Sequence, residues 1–296
     1  MKFLVLLAMT LVFCSVSLAQ EGSITGSVHD SSGAIIPNAN VKISNVEQGW
    51  VRTAQTNSAG EYLVPGLPAG NYNVQIEASG FERYQVTGLV LRVAEKARAD
   101  ASLVVGQIST EVSVAGTMVA QVQTESAELS GVVTTKQIDQ LVLNGRNFSQ
   151  LITLVPGVSN QTGQDEGTVG VYGSVAFSVN GGRTEYNNWE LDGGDNMDNG
   201  SNGTLNTYPN VDAIAEVKVL TSNYGAQYGR NGSATVETIT KSGGRDFHGD
   251  LFEFLRNEDF NARNFFASST PIYRKNDYGF TIGGPVIIPH LYNQGR

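Results

Sequence analysis

Few residues in this 296-residue chain are equipped for chemistry, and most of them stand in the wrong company. The histidines are His29, His248 and His290, and none lies in an H-x-x-E or H-E-x-x-H arrangement, so a metallopeptidase zinc site has no signature here. His248 and Glu253 suggest an acid–base pair, yet an odd spacing along a strand sets them on opposite faces. Asp192, Asp195 and Asp198 stand among glycines and asparagines in the loop Asp192 to Gly203, which raises calcium. The register fails: counting from Asp195, the third position is Met197 and the twelfth Asn206, where a ligand and a bidentate Glu are required. There is no Gly-rich phosphate loop, no G-x-S-x-G elbow and no S-x-x-K, so no enzyme and no cofactor is expected. What remains is recognition. Asp192, Asp195, Asn196 and Asp198 form a loop that would face solvent or a substrate. Glu111, Val112, Ser113 and Val114 form a proline-free alternating run able to add a strand to a partner's sheet, or to serve as a last strand or linker of its own domain. Trp50, Tyr62 and Tyr72 could stack on a sugar ring, although core or edge packing is the plainer use.

The balance of 19 Lys and Arg against 28 Asp and Glu gives a net charge of −9, a field that repels phosphate backbones, and no basic stripe offsets it; nucleic acid is not an expected partner. The opening MKFLVLLAMTLVFCSVSLAQ holds one Lys, an apolar run and small residues at Ser17 and Ala19, the pattern of a signal peptide cut after Ala19 to leave Gln20 first. An uncleaved anchor is the rival, but the run is short for a bilayer span. Cys14 is the only cysteine, so the cleaved chain would carry no disulfide or thiol nucleophile. Phe13 stands where a lipidated Cys would need a small residue before it. No later segment is apolar enough for a transmembrane helix, which leaves strands or association as the routes to a membrane.

The elements that must position these residues are mainly β. From 21 to 105 short runs alternate between turn residues: Ile24 with Val28, Val41 with Ile43, Tyr72 with Val74 and Ile76, and Ala97 with Ala99, Ala101, Leu103 and Val105. About seven strands at this spacing predict an antiparallel β-sandwich. A polar connector occupies 106 to 128. Helical periodicity follows from Gly131 to Val158, with Ile138, Leu141 and Val142 on one face and Phe148, Leu151, Ile152 and Val155 on another. Then come a strand through Val175, Phe177 and Val179, a short helix opening at Pro209, a strand Glu216 to Leu220 and a strand ending in TKSGG. After Arg245 the logic changes: Tyr278, Phe280 and Ile282 oppose Gly279, Thr281 and Gly283, as in a barrel strand facing lipid. FHGDLFEFLRN is equally aromatic, but adjacent Leu251 and Phe252 leave its register open.

Two sets of words carry a resemblance. SVHDSSGAIIPNANV, NSAGEYLVPGLPAGNYNV and ASGF resemble the carboxypeptidase regulatory-like domain, a non-catalytic sandwich of the carbohydrate-binding-like fold. LVLNGRNFSQLITLVPGV, LDGG, PNVDAIAEVKV, NYGAQYGR, TKSGG, FHGDLFEF and NARNFF resemble the plug of TonB-dependent outer-membrane receptors of the Oar-like kind. Val142 replaces a Pro and Glu237 an Asn of that pattern. EVSVAG, from Glu111 to Gly116, resembles the energy-coupling box of such receptors. The resemblance implies a signal peptide (1–19), a sandwich (21–105), a linker with the coupling box (106–128), a small α/β plug (129–245) and the first strands of an incomplete transmembrane β-barrel (246–296). A plugged barrel of about 22 strands needs several hundred residues beyond Arg296. It further implies export to the outer membrane, contact with outer-membrane lipid, a TonB-like energy-transducing partner, and import of a small-molecule, oligosaccharide or peptide ligand by plug rearrangement. Arg146 could read as an anion or substrate contact, but the plainer reading has it tie its loop to neighbouring carboxylates or carbonyls of the plug. The alternative is a secreted or surface-attached module whose sandwich binds carbohydrate or protein without transport.

Overall fold

The computed structural model describes residues 21–106, 111–115, 124–141, 143–162 and 173–287. The signal-cleavage pair Ala19 and Gln20, as well as Gly116 and Val142, lie outside these residues. The chain divides into two compact units, Met1–Lys241 and Ser242–Arg296.

The first unit opens with the predicted sandwich. One sheet runs β3 (Val51–Gln55), β2 (Asn40–Asn45), β5 (Gly70–Glu77), β6 (Arg83–Leu91), β9 (Glu111–Ala115). The other places β1 (Gly22–Asp30) between β4 (Glu61–Leu67) and β7 (Lys96–Arg98), with β8 (Ala101–Leu103) also on β1. The alternation seen in sequence is realised residue by residue: Tyr72, Val74 and Ile76 are fully buried beside Val41, Ile43, Ile24 and Leu67. Each such side chain contributes roughly 1.5–3 kcal/mol on leaving water. The body is antiparallel, but β7 and β8 join β1, and β9 joins β6, in parallel register. Gly26 permits the close approach of the β7–β8 segment, since a Cβ there would meet the Ala99 carbonyl oxygen at 2.2 Å. Tyr62, buried opposite, donates its hydroxyl to that same oxygen at 2.6 Å. Val105, expected to share the Ala97–Leu103 face, is instead 72% exposed beyond the end of β8.

The expected plug region follows, a sheet in the order β10 (Leu129–Val133), β15 (Ile214–Ser222), β16 (Thr235–Thr240), β13 (Asn188–Leu191), β14 (Gly194–Asp195). A small pair, β11 (Val158–Asn160) with β12 (Phe177–Val179), packs beside it. The helical reading of Gly131 to Val158 holds only in part. Its first residues form β10, where Gly131 lies under the Val155 side chain with no room for a Cβ. The helix α1 (Thr135–Gln140) then starts from a capping box of Thr134 and Gln137 and buries Ile138, while Leu141 is left exposed. Phe148–Leu154 forms 3-10 turns capped by Asn147 and buries Phe148, Leu151 and Ile152. The expected helix at Pro209 is a single 3-10 turn, Val211–Ala213, because Ile214 already enters β15. Phe148, Phe177 and Trp189 meet edge-on or tilted at the centre of the core.

The second unit is a ten-pair antiparallel hairpin of β17 (His248–Asn257) and β18 (Arg274–Gly283). Tyr278, Phe280 and Ile282 are 77%, 71% and 77% exposed. Pairing settles the register of β17: Leu251 lies opposite Phe280 on the apolar face, and Phe252 lies opposite Gly279. The Phe252 ring covers that glycine so closely that a Cβ would meet it at 2.6 Å.

Candidate functional site

The strand-addition candidate, Glu111, Val112, Ser113 and Val114, is the backbone of β9. It pairs in parallel with β6 from Arg83↔Glu111 to Thr87↔Ala115. Since β9 ends its sheet, its outer row of amides and carbonyls has no strand partner among the described residues.

The loop candidate is built differently. Leu191 and Gly194 pair across a two-residue hairpin whose central residues, Asp192 and Gly193, have φ of 49° and 80°. These left-handed values are what a type I′ turn demands, which explains the LDGG word physically. The Asp192 carboxylate accepts from the Thr240 amide and the Thr240 hydroxyl, both at 2.8 Å, and so ties LDGG to the end of β16. Asp195 pairs with Arg230, which also donates to Asn199 Oδ1 at 2.6 Å. Buried Asn196 clamps Thr207 from both sides, donating to its carbonyl and accepting from its amide at 2.8 Å each. Asp198 accepts from Ser201 Oγ, Gly200 N and Ser201 N, and these bonds hold its carboxyl down at about 2. The three carboxylates therefore have separate partners and do not converge. Among the described residues no cluster of three metal-ligating side chains occurs. Within the loop, Gly193 to Asp195 and Asn199 to Ser201 are exposed to solvent.

Arg146 pairs with Asp212, tying the two plug turns together as expected of it. Asn147 beside it caps Ser149 at 2.9 Å and receives the Tyr208 hydroxyl. The sandwich aromatics are engaged internally. Tyr72 donates to the Pro68 carbonyl at 2.6 Å, and Trp50 packs edge-on against Tyr72 with Arg52 over its ring.

One feature escaped sequence reasoning. Lys218 and Glu237 face each other across β15 and β16 and are both buried. The available signal was a charge inside each alternating strand, VKVL and VETIT, but only the register brings them together.

Three described families match consecutive stretches: the carboxypeptidase regulatory-like domain over residues 23–104, the TonB-dependent receptor plug domain over 122–236, and an outer membrane β-barrel domain over 239–293. The TonB-dependent transporter Oar of Myxococcus xanthus is 24% identical over 308 residues, covering 97% of this chain and 27% of the relative. The chain thus spans about a quarter of that relative's length. Among solved structures, the outer membrane transporter YddB from Escherichia coli superposes with TM-score 0.40 at 18% identity over 51% of this chain and 23% of its own. The siderophore receptor PirA from Pseudomonas aeruginosa gives TM-score 0.40 at 17% identity over 53% and 24%. The assignment rests on the ordered domain matches and the relative, not on these superpositions. With a carboxypeptidase regulatory-like domain, a TonB-dependent receptor plug domain and an outer membrane β-barrel domain matched in that order, the chain is similar over nearly its whole length to the TonB-dependent transporter Oar.

Proposed function

We propose that the chain is part of a transporter that binds an extracellular ligand and imports it by energy-coupled rearrangement of the plug, as the name of its Oar relative suggests. In this reading residues 21–105 form the accessory sandwich, 129–245 the plug and 246–296 the opening of the barrel, while 106–128 form a coupling segment that is not wholly a linker, since its strand β9 is the last strand of a sandwich sheet. The ligand, a small molecule, oligosaccharide or peptide, is met by the Asp192–Gly203 loop that carries Asp192, Asp195, Asn196 and Asp198.

The observation that supports the reading is the outer edge of β9, ahead of the plug in sequence, which has no strand partner among the described residues. A strand from an inner-membrane energy-transducing protein adds there through backbone hydrogen bonds, with no demand on side-chain identity. Proline cannot donate to such a ladder. The test is capture of the periplasmic domain of a TonB-like protein by the purified mature chain in detergent. Val112→Pro and Val114→Pro are expected to weaken capture at least about tenfold while the sandwich keeps its fold; unchanged capture removes the coupling assignment.

A further inference from the structure

The plug sheet is buried on both faces, and the faces differ. Val217, Val219 and Val236 enter the apolar core, whereas the opposite face sets Lys218 across from Glu237, with Glu190 beside Glu237 in the parallel register of β13. Lys218 is 4% and Glu237 0% exposed. The Lys218 ammonium is held elsewhere: it donates to the Val93 carbonyl at 3.1 Å and the Ala94 carbonyl at 3.5 Å, and it pairs with Glu128 at 3.7 Å. Val93 and Ala94 form the sandwich turn between β6 and β7, and the Val93 amide donates to Glu216 at 3.2 Å. That turn is therefore keyed to β15 at two neighbouring side chains.

Glu237 has no such provision. Neither carboxyl oxygen makes a well-formed hydrogen bond, the Tyr228 hydroxyl being the donor that approaches them, and a buried charge so weakly held is expensive. The groups around it are Lys218 and Glu216 on β15, Glu190 on β13, Glu128 ahead of β10, and Tyr228 from the segment before β16, with Arg92 and Glu95 of the sandwich turn surrounding Glu216. Glu190 is engaged by the Asn188 amide at 2.9 Å. Acids outnumber the single lysine on this face.

We propose that Glu237 is a proton-binding site that sets how firmly the sandwich turn is held on the plug. Protonated, it leaves Lys218 to the Val93 and Ala94 carbonyls and to Glu128. Ionised, it draws the ammonium across the strand pair and loosens the turn. The step is an acid dissociation: the carboxyl O–H breaks, the proton passes to water, and the carboxylate accepts from the lysine. Burial pushes this carboxyl up to about 7, against a partial offset from Lys218, so the exchange falls near neutral pH. The folded chain then holds the proton more tightly than the unfolded chain, and stability is lost as pH rises from the ordinary glutamate range through about 7. Glu216, also raised by burial, adds to the same loss of stability with rising pH, while its own protonation at acid pH weakens the acceptor for the Val93 amide. The inference does not depend on the coupling segment.

Hydrogen exchange at the Val93 amide tests it, on the mature chain in detergent and corrected for intrinsic exchange. Protection is expected to fall about fivefold or more between roughly pH 5.5 and 8 in the wild type and to stay flat in Glu237→Gln. A flat wild type, or an equal fall in the variant, overturns the proposal. Should the variant fold poorly, the wild-type Glu237 carboxyl carbon is followed by NMR: titration near neutrality supports the site, and titration in the ordinary glutamate range overturns it.

Discussion

β5 and β18 carry the same alternation and meet opposite surroundings. In β5, Tyr72, Val74 and Ile76 are fully buried, with polar Asn73, Gln75 and Glu77 between them. In β18, Tyr278, Phe280 and Ile282 are more than two-thirds exposed, and the residues between them are Gly279, Thr281 and Gly283. The pattern itself says only that two faces differ. What separates the strands is the companion face: a water-facing strand needs charged and amide groups there, whereas Gly and Thr with a covering Phe252 suit a barrel interior. An apolar ridge of this extent, extended by Leu251 on β17, does not suit contact with water and does suit the outer membrane, in keeping with the match of residues 239–293 to an outer membrane β-barrel domain.

The comparison can be broken by giving both strands a charge. Val74→Asp places an unpaired carboxylate in a sealed core, and a loss on the order of 4 kcal/mol or more is expected in denaturant unfolding followed through Trp50 fluorescence in a Trp189→Phe background. A small loss would mean that the sandwich core is looser than its burial indicates. Phe280→Arg should cost less, about 2–4 kcal/mol when unfolding is measured from bilayers, and close to nothing if that face meets water. Equal stability of wild type and variant in lipid would remove the contrast between the strands.

How much of this was legible follows from the range of the interactions. Period-two alternation is local, so the buried faces of β1, β2 and β5 and the apolar face of β18 could be read directly. Joinings that depend on distant register could not: the parallel docking of β7, β8 and β9, the tie from Asp192 to Thr240, and the meeting of Lys218 with Glu237. The helical reading overran into β10 because Gly131, Val132 and Val133 lack a period of their own, and pairing with β15 decided their state. The Asp192–Asp198 loop read as open because Asp and Asn mark loops without revealing their partners. In the fold, each of those four side chains is engaged in holding the loop's own backbone or a neighbouring strand.

The central claim is that one face of β18 meets lipid, and a single-cysteine scan tests it most directly. Cys14 is the only native cysteine, so in a Cys14→Ser background fluorophores placed in turn at positions 278, 280, 281 and 282 report on the purified chain in lipid bilayers. A quencher confined to the bilayer is predicted to act at 278, 280 and 282 and to spare 281. Uniform quenching by an aqueous agent at all four positions, or the reverse alternation, would contradict the account.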